Sequence, residues 1–163
     1  TYGEEKSLYI NGLGTGNSPY LALEWRAGKE GEFLQVHTRL IGEYNFPNAL
    51  AAVTIGHFFG VEAEKIDKAL NEYEPRNNRS QLKKTADNTL IIDAYNANPT
   101  SMLAAIGNFR NMQAEKKMLI LGDMRELGKD SAEEHQRIVD YLEEYGFEDV
   151  ILVGELFAAT RHT

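Results

Sequence analysis

The sequence predicts an α/β protein whose second half carries a mainly parallel sheet covered on both faces, preceded by a β-hairpin and two helices. Three observations lead there. Residues 7–40 alternate in hydropathy with period two, in the manner of strands. The pattern switches to a helical period after Gly42. From residue 80 onward, short continuous apolar runs alternate with amphipathic segments, the signature of parallel strands buried between helices.

Each element follows from local chemistry. "SPYLALEW" (18–25) and "EFLQVHTRL" (32–40) read as a hairpin around the turn "RAGKEG". The preceding "NGLGTGNS" (11–18) has three glycines without the G-x-G-x-x-G spacing, and strands rather than a helix follow it. It reads as a flexible loop, not a phosphate loop. "NFPNALAAVTIGHFFG" (45–60) reads as a helix, with Asn45 as N-cap, Pro47 in the first turn and Gly60 as the stop. Leu50, Val53 and Phe58 belong to its apolar stripe. A second helix, 62–73, places Ile66, Ala69, Leu70 and Tyr73 on one face. "EPRNNRSQ" (74–81) reads as a linker and marks the expected domain boundary.

Beyond it come a strand at 89–95, a helix from Asn98 to about Met112, and a strand at 117–123. A helix from Ser131 to about Tyr145 follows, opened by a Ser131–Glu134 capping box. A strand at 149–154 and the start of a further helix complete the series. Thr1 is not Met and the chain stops soon after a helix start, so truncation at the N-terminus and an incomplete sheet are expected.

Composition narrows the function classes. At 42% hydrophobic and 26% charged residues, the chain has the balance of a globular protein. Its net charge of −8, with 17 scattered basic residues, argues against a nucleic-acid-binding face. Without cysteine there is neither a disulfide framework nor a thiolate metal site. No apolar run is long enough to span a bilayer, so neither membrane insertion nor a signal peptide is expected, and a cytoplasmic protein is.

In a parallel α/β sheet, ligands meet the loops that follow the carboxyl ends of the strands. "DAYNAN" (93–98) fills the first such loop with hydrogen-bonding side chains, and Asn98-Pro99 opens the next helix, where free backbone N–H groups gather. Asp93 and Asn96 read equally as ligand groups or as formers of Asx-turns, and capping alone accounts for Asn98. In the second loop, "LGDMRELGKD" (121–130), Asp123 and Glu126 suit a cationic amine or an ordinary solvated turn. The four histidines, His37, His57, His135 and His162, have no metal-ligand spacing. His135 lies near the second loop, as a surface residue or facing the ligand crevice.

Three strings carry a family resemblance. "GEYNFPNALAA" (42–52) resembles the G-x-H-N-x-x-N-x-x-A-A segment of the Mur ligases. "DAYNANPTSM" (93–102) and "LGDMRELG" (121–128) resemble the branch of that family that adds D-alanyl-D-alanine to a UDP-N-acetylmuramoyl tripeptide. Arg79 and "ELGKDSAEEHQ" (126–136) fit as well, and the likeness spans roughly 40–155.

The resemblance implies an ATP- and magnesium-dependent, amide-forming ligase of peptidoglycan precursor synthesis. Such an enzyme acts through an acyl phosphate on a UDP-N-acetylmuramoyl tripeptide and D-alanyl-D-alanine. By the same resemblance, residues 1–77 are the end of a central ATPase domain and 80–163 are most of a Rossmann-like C-terminal domain. Asn45, Asn48, Arg79 and Asp93 match the family's ATP-side residues. Tyr95, Asn96, Asn98, Asp123 and Glu126 match the dipeptide side. Tyr44 stands where the family has His, and Ile92 and Ala94 depart from its D-D-S-Y-N form. No G-x-x-G-K-[ST] string occurs, so the phosphate loop and the magnesium ligands are expected upstream, in the missing N-terminal part of the same enzyme. The chain alone is then expected to be inactive. The alternatives are a stand-alone nucleotide or amino-acid binding module and, ranked last, a response-regulator-like domain, which would need an acidic pair and a switch lysine.

Overall fold

In a computed structural model the structure describes residues 1–16, 19–76 and 78–162. The loop reading at Asn17 and Ser18, the strand start at Ser18 and the linker reading at Asn77 lie outside the described residues. The chain divides into two compact units, Thr1–Asp93 and Ala94–Thr163.

The first unit is built on a four-stranded sheet in the order β1 (Tyr2–Gly3), β2 (Ile10–Gly14), β3 (Tyr20–Ala27), β4 (Leu34–Ile41). The hairpin expected from the alternating pattern is the antiparallel pair β3–β4. The glycine-rich stretch is a strand at its start, not a loop. Gly12 faces the fully buried Leu50, and a Cβ there would lie 2.5 Å from a Leu50 methyl carbon. The glycine therefore permits close packing of strand on helix. Asn11 turns its amide to the carbonyls of Gly3 and Glu4, at 3.4 and 2.9 Å.

Two helices cover the sheet, α1 (Phe46–Phe58) and α2 (Ala63–Glu72). Ala49, Leu50 and Val53 of α1 and Ile66 of α2 join Ile10, Leu21, Leu23, Trp25 and Val36 in one core. Burying each large side chain contributes about 1.5–3 kcal/mol. Three apolar residues depart from the expected stripes. Phe58, at the end of α1, is 80% exposed, and Ala69 and Tyr73 face outward. The inner face of α2 is instead Ala63, Ile66 and Leu70, beside Asp67, whose carboxylate accepts the Trp25 indole N–H at 2.7 Å. Gly60 ends the first helix as expected, at φ 75°.

The described residues of the expected linker before Gln81 belong to no helix or strand, and the chain becomes regular at Gln81. β5 (Gln81–Lys84) pairs antiparallel with β6 (Thr89–Ile92). The strand expected over 89–95 thus stops at Ile92, and its partner comes from the stretch next to the expected boundary.

In the second unit β7 (Leu119–Gly122) and β8 (Val150–Val153) form a parallel ladder with Ile120 opposite Ile151. The helices α3 (Pro99–Asn111), α4 (Ser131–Glu144) and α5 (Glu155–Ala158) alternate with these strands. Leu119, Leu121, Val150 and Leu152 face a core containing Met102, Ile106, Ile138, Val139, Leu142 and Phe157. The other side of the ladder is apolar and exposed: Met118, Ile120, Ile151 and Val153. The fold is mixed α/β with parallel strands, as the alternation of apolar and amphipathic segments implies, but β6 pairs with β5 in a sheet of its own rather than joining the β7–β8 ladder, and one face of that ladder is uncovered instead of both being covered.

The end of α3 is closed by Lys117, whose Nζ donates to the carbonyls of Arg110 and Met112 at 2.7 and 3.2 Å. A cation at a helix C-terminus satisfies carbonyls that the helix leaves unpaired. At α4 the expected capping box does not form. A short 3₁₀ turn, Gly128–Asp130, runs straight into the helix, so Ser131 is already helical and the residue at the cap position is Asp130, which makes no side-chain cap bond.

Candidate functional site

The site residues fall into two groups, one in each unit. In the first, β4 ends at Ile41 and Gly42 turns the chain at φ 87° into a 3₁₀ turn, Glu43–Asn45, that leads into α1. This turn displaces Asn45 from the capping role expected of it. Its side chain makes no cap bond. The amide instead donates back to the Ile41 carbonyl at 2.8 Å, while its oxygen accepts from Asn48 at 3.3 Å. The two asparagines are therefore a linked pair, with Asn48 exposed.

Tyr44 reaches from the same turn to Ser80, 2.6 Å between hydroxyl oxygens, and Ser80 donates to Asp93 Oδ2 at 3.1 Å. Three well-separated stretches thus meet at one point, the last of them directly after β6. Burial pushes the Tyr44 phenol above its ordinary value, and the Asp93 charge adds to the rise. The phenol is therefore a firm proton donor at neutral pH. Arg79 precedes Ser80 and is exposed. Ser80 was not singled out from the sequence. Its one signal is a hydroxyl residue following "NNR" directly before a strand.

In the second unit, Tyr95 and Asn96 are exposed in the loop before α3. Asn98 caps that helix, its Oδ1 accepting the Ser101 N–H at 2.9 Å. At the end of β7, Asp123 accepts the Phe157 N–H on Oδ1 at 2.9 Å and the Leu156 N–H on Oδ2 at 3.1 Å. These bonds join the turn after β7 to the first turn of α5, which follows β8. Gly154 makes room for them: at φ 124°, a Cβ there would lie 2.2 Å from the Asp123 carboxyl. Burial alone would push the Asp123 carboxyl up, but the Phe157 and Leu156 amides, with the Arg125 charge, outweigh it and hold the carboxyl below its ordinary value. Glu126 is exposed, in the left-handed region at φ 69°.

His135 is neither a surface residue nor open to a crevice. It is fully buried. Its Nε2 accepts the Met124 N–H at 3.0 Å, so Nδ1 carries the proton and donates to the Ser131 carbonyl at 2.6 Å. The ring edge packs on Phe157. It braces the 121–130 loop from beneath. Spacing alone does not reveal this, since i to i+4 bonding to Ser131 leaves no mark on the hydropathy pattern.

Among the described residues, no group of three or more His, Cys, Asp or Glu side chains is placed to hold a metal ion.

Residues 78–162 match the family described as "Mur ligase, glutamate ligase domain". A UDP-N-acetylmuramoyl-tripeptide--D-alanyl-D-alanine ligase of Bacillus subtilis is 45% identical over 91 residues, 55% of this chain and 20% of that protein. The ligase of the same name from Treponema pallidum is 38% identical over 103 residues, 63% of this chain and 22% of that protein. A crystal structure of MurF from Acinetobacter baumannii superposes with a TM-score of 0.83 at 30% identity, over 97% of this chain and 34% of that one. MurF ligase from Thermotoga maritima, solved with ADP, shares the fold at a TM-score of 0.80 and 17% identity, over 99% of this chain and 37% of that one. The chain thus spans between a fifth and two fifths of the length of these relatives. With the family match covering half of its residues, the chain belongs to the Mur ligase family.

Proposed function

We propose that the chain is part of an ATP-dependent ligase that joins D-alanyl-D-alanine to a UDP-N-acetylmuramoyl tripeptide in peptidoglycan precursor synthesis. One observation carries the reading. The "DAYNANPTSM" and "LGDMRELG" strings resemble the dipeptide-adding branch; the first follows β6 and opens α3, and the second closes β7 of the parallel ladder, where such a sheet presents ligand-binding groups. The relatives of that name support it.

In this reading residues 1–77 close a central ATPase domain, and 80–163 form most of a Rossmann-like domain. Asn45 and Asn48 face the adenine, Arg79 approaches the nucleotide, and the Asp93 carboxylate accepts hydrogen bonds from the ribose. Tyr95, Asn96, Asn98 and Glu126 line the dipeptide side. Asp123 belongs to that side by shaping the turn that carries Glu126, since both its oxygens already hold backbone amides. ATP supplies the phosphoryl group that activates the tripeptide carboxylate, and the dipeptide amine then displaces phosphate to form the amide. Catalysis of such a transfer is chiefly positioning and charge neutralisation. The phosphate loop and the magnesium ligands belong to the part of the enzyme outside this chain. Contacts to the nucleotide from both domains would give ATP a differential affinity for a closed state that keeps water from the acyl phosphate. Its dependence on ATP places the enzyme in the cytoplasm; among the described residues no helix is long and apolar enough to cross a membrane.

The test is phosphate release by the full-length enzyme supplied with ATP, the tripeptide and D-alanyl-D-alanine. Asp93→Ala is expected to weaken ATP use strongly; unchanged kcat and KM for ATP would refute the role given to Asp93. The isolated chain is expected to show no turnover.

A further inference from the structure

Ser80 has an uncommon backbone for its residue type. Its φ is 44°, in the left-handed region, and it is 7% exposed. Asn78, two positions earlier, is also left-handed, at φ 56°. Asparagine tolerates that conformation; serine enters it less readily, and a residue held in a sparsely populated region persists only where its surroundings impose it. Here the surroundings are the Tyr44 hydroxyl and the Asp93 carboxylate.

The direction of the two bonds follows from proton counting. An ionised carboxylate only accepts, so the Ser80 proton goes to Asp93 Oδ2. A hydroxyl has one proton, so Ser80 has none left for Tyr44, and Tyr44 must donate to Ser80 Oγ. The raised phenol keeps that donor protonated at neutral pH. Tyr44 thereby commits the serine proton to the carboxylate.

We infer that Tyr44 and Ser80 are positioning residues for Asp93: two hydroxyls in series pin Oδ2 and so fix the orientation in which the carboxylate meets its ligand. The inference rests on the proposed placing of Asp93 against the nucleotide ribose. A carboxylate already held in one rotamer meets a diol without losing further side-chain freedom, and that gain appears as affinity.

Two variants of the full-length enzyme test it. Ser80→Gly removes the hydroxyl, and glycine adopts φ 44° without strain, so the fold is kept. Tyr44→Phe keeps the ring and removes the donor. Each is expected to raise the KM for ATP about three- to tenfold, the loss of one immobilised side chain's worth of preorganisation. The kcat should fall less than KM rises, and the KM for D-alanyl-D-alanine should stay put. The double variant should be little worse than Ser80→Gly, because Tyr44 acts only through the serine. A wild-type KM for ATP in Ser80→Gly overturns the inference. So does a rise in KM that tracks a fall in melting temperature, which marks a purely structural contact.

A second measurement separates the bridge from the functional reading. In proton NMR of this chain, the Tyr44 hydroxyl should give a slowly exchanging low-field resonance that both variants abolish; its absence from the wild type overturns the bridge. A wild-type enzyme without ATP-dependent turnover overturns the functional reading, and with it the nucleotide role of Asp93, even where that resonance is present.

Discussion

Replacing Asp123 with Asn should loosen the junction between the turn after β7 and the start of α5. The carboxylate accepts two backbone amides, Phe157 at 2.9 Å and Leu156 at 3.1 Å. A hydrogen bond to a charged group contributes about 1.5–3 kcal/mol, a neutral one about 1. Asparagine keeps one acceptor oxygen, so one bond falls to neutral strength. Its NH₂ then faces the other amide, donor against donor. The summed loss is about 2–5 kcal/mol, and water reaching the 14%-exposed side chain brings it to the lower end. A change of about 2 kcal/mol is roughly thirtyfold in an opening equilibrium. Native-state amide exchange at Leu156 and Phe157 reads that factor directly.

The pH dependence has a definite sign. The Asp123 carboxyl lies below its ordinary value in the native chain. Its contribution is therefore complete above the usual carboxylate range and is lost as pH falls through the lowered native value. The gap between wild type and Asp123→Asn should be level near neutrality and close in acid. Protection at Leu156 and Phe157 within threefold of wild type at pH 7 would refute the assignment and return Asp123 to the pool of unengaged ligand groups.

Other substitutions test neighbouring parts of the structure. Gly154→Ala puts a Cβ 2.2 Å from the Asp123 carboxyl at φ 124°; urea denaturation should show a loss of about 3 kcal/mol from combined clash and backbone strain. Trp25→Phe removes the indole bond to Asp67 and leaves a void at a fully buried position, and should cost about 2–4 kcal/mol by chemical denaturation followed by circular dichroism. Asp67→Asn should cost nothing at pH 7: burial raises the Asp67 carboxyl despite the Trp25 bond, and the amide oxygen can still accept the indole N–H. Since the native value is raised, Asp67 makes the wild type more stable as pH falls through it, opposite in sign to Asp123. The fluorescence of the single tryptophan follows unfolding of that variant. Lys117→Met should cost about 1 kcal/mol and raise amide exchange in the last turn of α3, where Nζ holds two carbonyls.

Periodicity reached the elements whose burial is regular. The β3–β4 hairpin, α1, α2 and the alternation from α3 to α5 were legible because apolar spacing follows the core. Legibility failed where a residue type has two physical uses. Glycine at position 12 signals a flexible loop by propensity, yet it lies in β2 because Leu50 needs the space. Ser131 and Glu134 have capping-box spacing, but a 3₁₀ turn upstream makes Ser131 helical. Phe58 fits the apolar stripe of α1 and still faces outward at the helix end. For the site, motif strings located Asp93 and Asp123, whereas the partners of those carboxylates lie 13 and 33–34 residues away in sequence. No local pattern encodes a bond of that span, so the part played by Ser80 is visible only in the folded chain.

The uncovered side of the β7–β8 ladder has a colloidal consequence. Met118, Ile120, Ile151 and Val153 make a greasy strip on a molecule of net charge −8. At low ionic strength, mutual repulsion between like-charged copies keeps those strips apart. Added salt shortens the reach of that repulsion to about 10 Å at 0.1 M and 3 Å at 1 M, and leaves the attraction between oily surfaces intact. Storage in dilute buffer should therefore preserve dispersed material that concentrated salt would clump.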